Sequence, residues 1–132
     1  MITLKELNPK NFPVNPAISS NLKNLLQAIN IIRAAYGKPM HVSSGLRSLE
    51  EHLRIYAEKG ITDRSKIPMK SRHLHGMAVD IRDPKHELQK WCLDNEDMLE
   101  QAGLYCEHFS STVGWVHFQT TPPGSGNRFF LP

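Results

Sequence analysis

Cysteine is scarce: the chain holds two, Cys92 and Cys106, too few for a disulfide framework and too far apart for a CxxC metal pair. Both are expected as buried thiols. Long apolar runs are also lacking. The most apolar stretch, around Leu22 to Tyr36, is broken by Lys23, Asn24, Gln27, Asn30 and Arg33. A bilayer-spanning helix needs about 20 nearly uninterrupted apolar residues, so no membrane partner is expected. The opening Met-Ile-Thr-Leu-Lys-Glu-Leu has no basic end, apolar stretch or small-residue cleavage site of a secretory signal. The expectation is synthesis in the cytoplasm, with any work outside it needing another exit route. No repeat, low-complexity tract or linker divides the chain, and 15.0 kDa suits one domain spanning residues 1–132. An HExxH helix, a nucleophile elbow and a Walker motif are all missing. Gly124-Ser125-Gly126-Asn127 lacks the Lys-Ser/Thr ending and the following helix of a phosphate loop, and reads as a turn.

What is present is enough apolar surface to fold. A hydrophobic fraction of 39% with two Trp, three Tyr and five Phe excludes a disordered chain. Sixteen basic against 13 acidic residues leave +3, a mild bias, whereas dedicated nucleic-acid binders concentrate more charge on one face. No nucleic-acid partner is expected on charge alone. The one basic concentration, Lys59, Arg64, Lys66, Lys70 and Arg72, contains a single acid, Asp63. It is either a solvated loop or the rim of a groove for an anionic ligand. Seven histidines in so short a chain is the more informative count, because imidazole is the commonest metal ligand.

Spacing predicts the elements. Pro9, Pro13 and Pro16 make the opening segment non-helical. Ser19 or Ser20 caps a helix with apolar residues at Leu22, Leu25, Leu26, Ile29 and Ile32, ended by Gly37 and Pro39. A short strand follows at His41 to Ser44. Ser48 and Glu51 form a capping box for a second helix through Ala57, closed by Gly60. Residues 61–72 read as a loop. Met77 to Arg82 alternates as a strand, with Met77, Val79 and Ile81 on one face and Ala78, Asp80 and Arg82 on the other. Asp83 and Pro84 look like N-cap and first residue of a third helix. Asp94 or Asn95 opens a fourth, ending at Gly103. Strands near Leu104 to His108 and Trp115 to Gln119 complete the pattern and are close enough to pair antiparallel. Helices first and strands later give an α+β class, a small antiparallel sheet packed against helices.

The alternation sorts the polar residues. If Val79, Ile81, Val116 and Phe118 share a core, Asp80 and His117 stand together on the other face, with Ala78 leaving room beside Asp80. Gly76 allows a backbone course that swings His73 over that face. Two histidines and one carboxylate with a fourth position open is what catalytic zinc requires. The residue types leave other readings open: a lone Asp on a strand face also serves as a surface residue or cap, and a His beside a Trp also packs. His75 is a rival ligand or a surface residue.

The string narrows this. Ser71-Arg72-His73-Leu74-His75-Gly76-Met77-Ala78-Val79-Asp80 fits S-x-H-x-x-G-x-A-x-D, Trp115-Val116-His117 fits W-x-H, and Ser43-Ser44-Gly45-Leu46-Arg47-Ser48 resembles S-S-G-[YLF]-R-S. In this order the three resemble the zinc D-Ala-D-Ala carboxypeptidase and L-alanyl-D-glutamate endopeptidase family, over residues 41–119. The resemblance implies a fold shared with the hedgehog signalling domain and zinc held by His73, Asp80 and His117. Arg47 would hold substrate, its planar guanidinium matching a carboxylate or the developing oxyanion. A surface salt bridge is the alternative for Arg47. Ser44 is placed with it at the substrate, and Ser71 supports the loop or Asp80 by hydrogen bonding.

One departure stands out. Many relatives carry Asp or Glu three residues before the last zinc histidine, and here that position is Gly114. Proton transfer needs another group near the attacking water. Glu107 is the first choice and His108 the rival, on the strand expected to pair with that of His117. Alternation lets only one of the two face the metal. The activity implied is hydrolysis of an amide bond in the peptidoglycan stem peptide, either D-Ala-D-Ala or L-Ala-D-Glu. The setting implied is a monomeric phage lysis or virion-associated enzyme acting on the cell wall. A non-catalytic zinc-binding wall or structural phage module of the same fold is the alternative that Gly114 keeps open.

Overall fold

Proline and asparagine together start the longest helix. In the computed structural model, which describes residues 1–132, Asn15 caps α2 (Pro16–Tyr36) by accepting the Ile18 N–H at 2.8 Å. Pro16 takes the first helical position, where a missing N–H leaves no bond unmade. The helix therefore begins ahead of Ser19 and Ser20, because proline breaks a helix only from inside it. Gly37, at φ 74°, ends it in the left-handed conformation. The segment before it, expected to be non-helical, contains one turn, α1 (Leu4–Leu7), capped by Thr3 and anchored by the fully buried Leu7.

Three further helices follow the spacing with two changes at their starts. α3 (Leu49–Glu58) has Ser48 accepting the Glu51 N–H at 3.1 Å. The Glu51 carboxylate does not close the capping box; it takes Lys10 Nζ at 2.6 Å instead. α4 (Glu87–Asp94) starts later than the Asp83–Pro84 signal suggested. Asp83 still does a cap's work from a distance, its two carboxylate oxygens accepting the N–H groups of Leu88 and Gln89 at 3.0 and 2.9 Å. α5 (Glu96–Ala102) opens at Asn95 and ends at Gly103, as the spacing indicates. No helix is long and apolar enough to cross a membrane.

The sheet has five strands, β1 (Val42–Ser44), β2 (Ala78–Arg82), β3 (Tyr105–Glu107), β4 (Trp115–Gln119) and β5 (Phe129–Phe130), in the order β1-β2-β4-β3-β5. Neighbours are antiparallel except β3 and β5, which run parallel. β5 is too short to show an alternating pattern in sequence; it exists because Phe130 and Arg128 carbonyls accept the N–H groups of His108 and Cys106 at 2.6 and 2.8 Å.

Helices α2, α4 and α5 cover one face of this sheet. Val79, Ile81, Val116 and Phe118 on that face join Leu25, Ile29, Ile32, Leu88 and Leu99 in one core, all at most 2% exposed. Each such side chain contributes about 1.5–3 kcal/mol by leaving water. Cys92 and Cys106 lie within the same core as free thiols, and burial pushes the Cys106 thiol up.

Gly45, just after β1, has no room for a side chain. A Cβ there would collide with the Leu7 carbonyl, which also accepts the Leu46 N–H at 2.8 Å. Gly45→Ala is expected to lower stability by about 1–3 kcal/mol through overpacking. Urea unfolding would show a lower midpoint with the slope kept; an unchanged midpoint would mean that α1 does not press on this position.

Candidate metal centre and cleft

The register of β2 and β4 sets Asp80 directly opposite His117, on the face away from the core. His73 comes from a single 3-10 turn, Arg72–His75, closed by Gly76 at φ 72°. Gly76 packs on α2, where a Cβ would approach Leu22 Cγ to 3.0 Å. On the other side the His73 carbonyl accepts the Arg47 N–H at 3.1 Å. The turn is thus tied down at both flanks before any ligand arrives.

The three side chains converge. His117 Nδ1 lies 2.9 Å from Asp80 Oδ1 and His73 Nε2 lies 3.3 Å from Asp80 Oδ2. One donor atom from each residue falls within 4.8 Å of the other two. His73 and Asp80 are only 4% and 8% exposed, so the face expected to lie outward is in fact roofed. The far nitrogen of His73, Nδ1, donates to the Gly45 carbonyl at 2.9 Å. That bond fixes the ring and leaves the Nε2 lone pair toward Asp80. Two imidazoles and one carboxylate with donor atoms this close suit a divalent cation and leave coordination positions open.

Charge inside the cluster is strongly coupled. Burial pushes the Asp80 carboxyl up, but hydrogen bonds and charge from His117 and His73 outweigh it and hold the group well below the usual carboxylate range. Burial opposes a proton on His117, yet the Asp80 hydrogen bond and charge raise its pKa above the ordinary value.

A cleft of about 720 Å³ opens over the cluster. Arg47 lines it, with Nε donating to Ser44 Oγ at 3.3 Å and a terminal nitrogen 3.9 Å from Asp80 Oδ2. Ser44 therefore touches Arg47 and orients it. Glu107 lines the cleft from β3. Burial raises its pKa, and the Asp80 charge adds to this while His117 and His73 oppose it. Lys59, Lys70 and Arg72 from the basic stretch stand at the rim, with Trp115.

Two sequence candidates fall elsewhere, and a third reaches the cleft without its expected bond. His108 is exposed and bonded to Ser110 at 2.8 Å, outside the cleft, because alternation along β3 that turns Glu107 inward turns its neighbour away. His75 is exposed and contributes only its carbonyl, which accepts from Asn21 at 3.0 Å. Ser71 lines the cleft, but its hydroxyl bonds neither the loop nor Asp80. Two neighbours were missed: Phe130, edge-on to the His117 ring at 6.3 Å, and Gln119, 2.9 Å from His117 Nε2. Gln119 was legible, since it stands two residues beyond His117 on the same strand face; Phe130 sits on the strand that spacing did not reveal.

In metal-free protein the Asp80–His117 pair makes stability depend on pH. The raised His117 pKa stabilises fully below its ordinary value near 6.5 and fades as pH rises through the raised one. The lowered Asp80 pKa stabilises above its ordinary 3.8 and fades as pH falls through the lowered one. Both contributions coexist between about pH 4 and 6.5. The stability gap between wild type and Asp80→Asn in chelator should be widest in that window and narrow as pH rises through the raised His117 pKa. Urea melts across pH would read it, and a gap widening with pH would contradict the pairing.

A family model described as Peptidase M15 matches residues 2–119. No curated protein matches the chain. Among solved structures the chain is similar to one titled crystal structure of Serratia marcescens L-Ala D-Glu endopeptidase ChiX. The two share 21% identity over 91% of this chain and 98% of that one, with a TM-score of 0.55. At that identity the likeness speaks for the fold, an α+β arrangement with a five-strand sheet. The family model spans the sheet strands that carry Asp80 and His117, the turn that carries His73 and the segment of Arg47, and on that match the chain belongs to the peptidase M15 family.

Proposed function

We propose that the chain is a zinc-dependent peptidase that hydrolyses an amide bond in the stem peptide of peptidoglycan. The observation that carries the reading is the convergence of His73, Asp80 and His117 at the base of a cleft that also holds Glu107 and Arg47. Bound there, zinc supplies Lewis acidity, polarising the scissile carbonyl and making water acidic enough to attack near neutral pH. The remaining work belongs to the protein's own groups. Glu107, whose pKa burial raises, takes the proton from the attacking water and returns it to the leaving amine. Arg47, steadied by Ser44, offers its fork of donors to a substrate carboxylate or the developing oxyanion. Lys59, Lys70 and Arg72 draw in a peptide rich in carboxylates.

The bond we assign is the L-Ala-D-Glu link rather than the terminal D-Ala-D-Ala. Support comes from the name of the structurally similar endopeptidase. The endolysin-like motifs support a role in phage lysis of the wall. A non-catalytic module of the same fold would rest on Gly114, which leaves no acid three residues before His117. Glu107 answers it, since a carboxylate reaches the same cleft from the neighbouring strand.

Zymography on purified peptidoglycan should show clearing that disappears in Asp80→Ala and with chelator. Mass spectrometry of the released muropeptides should show new D-Glu amino termini; loss of a single terminal D-Ala would move the assignment to the carboxypeptidase reaction. Glu107→Gln should keep zinc and lower kcat by about 10²–10⁴-fold, the usual worth of a positioned acid–base group. Full activity in that variant would remove Glu107 from the proton-transfer role.

A further inference from the structure

His117 is held by a relay that none of the three motifs contains. Gln119 follows it on the same face of β4, is 5% exposed, and has both ends of its amide engaged. Its Nε2 donates to the Thr121 carbonyl at 2.7 Å, and its Oε1 lies 2.9 Å from His117 Nε2. A carbonyl can only accept, so Thr121 commits the amide nitrogen and turns the amide oxygen to the imidazole. That oxygen also only accepts, so the imidazole nitrogen facing it carries the hydrogen. The lone pair of a neutral His117 then sits on Nδ1, the atom nearest Asp80.

His73 reaches the mirror-image condition. There Nδ1 gives its hydrogen to the Gly45 carbonyl and Nε2 is left free toward Asp80. In both cases the partner is a carbonyl oxygen, which can only accept. Room for the Gln119 side chain comes from Ala78, its direct cross-strand neighbour on β2 and itself fully buried. A larger residue at 78 would push the amide off the ring.

We infer that Gln119 is a positioning residue: oriented by the Thr121 carbonyl, it sets which nitrogen of His117 binds the metal and so sets metal affinity. This rests on the reading of His73, Asp80 and His117 as a zinc site. Gln119 is not one of the three donor residues; both ends of its amide are engaged by Thr121 and His117, so it acts through His117.

The test uses zinc binding and protein folding together. Gln119→Met keeps the volume and deletes the acceptor; chelator competition should give zinc affinity about 10–100-fold weaker, the usual cost of losing such a partner. The melting temperature of the zinc-free variant should stay near that of wild type. Gln119→Glu keeps an acceptor oxygen and should bind zinc within about threefold of wild type or tighter, an expectation from retained hydrogen bonding. Nitrogen-15 NMR of zinc-loaded wild type gives a reading that needs no variant: zinc should sit on Nδ1 of His117, with a slowly exchanging Nε2–H. Wild-type affinity in Gln119→Met, or zinc on Nε2, would overturn the role of Gln119 while leaving the metal site standing. Wild type that binds no zinc would overturn the site itself and the inference with it.

Discussion

The antiparallel register of β2 against β4 is the constraint on which the site depends. It places Asp80 across from His117 only while Val79 faces Phe118 and Ile81 faces Val116. A slip of one residue would turn the carboxylate into the helices and the apolar side chains into the cleft. Four side chains at most 1% exposed resist that slip with several kcal/mol. The same bury-or-expose choice therefore builds the core and sets Asp80 opposite His117. Asp80 shows what the arrangement must overcome, since burial alone would favour its neutral form and only the two imidazoles keep it charged.

Gly45 joins two parts of the molecule that are far apart in sequence. Its missing side chain lets the Leu7 backbone pass, and its carbonyl holds His73. The N-terminal turn α1 carries no ligand, yet it presses on the residue that orients one. The Ser43-Ser44-Gly45-Leu46-Arg47 segment therefore works as a unit: Ser44 orients Arg47, Gly45 orients His73, and Leu46 seals the joint against Leu7. A change at any of the three positions would be felt in the cleft without touching a metal ligand.

Much of this was legible because it is local. Alternation in Met77 to Arg82 and Trp115 to Gln119 has a period that no helix shares, and it separates the core face from the ligand face directly. Gly37 and Gly103 ended helices where the periodicity stopped. What stayed hidden depends on partners distant in sequence. β5 has two residues and is defined only by β3, and the capping reach of Asp83 depends on the turn through Pro84 to His86, the last at φ 58°. The depth of Asp80 was hidden for the same reason, because the walls of the cleft around it come from Arg47, residues 68–72 and Phe130 together. Pro16 misled for a different reason, since residue type marks a proline as helix-hostile while position decides whether it is.

The carboxylate in the cleft has a physical reason to come from β3 and not from the turn before β4. Position 114 lies at φ 90°, in the region that side-chain-bearing residues enter only with strain of about 1–3 kcal/mol. Its carbonyl accepts the Asp83 N–H at 2.8 Å, and Asp83 in turn caps the start of α4. The turn at Gly114 therefore supports a helix on the core side of the sheet, and an acid there would load strain onto that support. β3 carries no such duty at Glu107. It pairs with β4 through Tyr105 and Cys106, which directs the next residue toward His117 from the neighbouring strand. Half-buried in the cleft, Glu107 has its pKa raised by burial, and the charge of Asp80 adds to this. One strand then carries His117 and the next carries Glu107 into the same cleft, and the turn between them is left free to hold the scaffold.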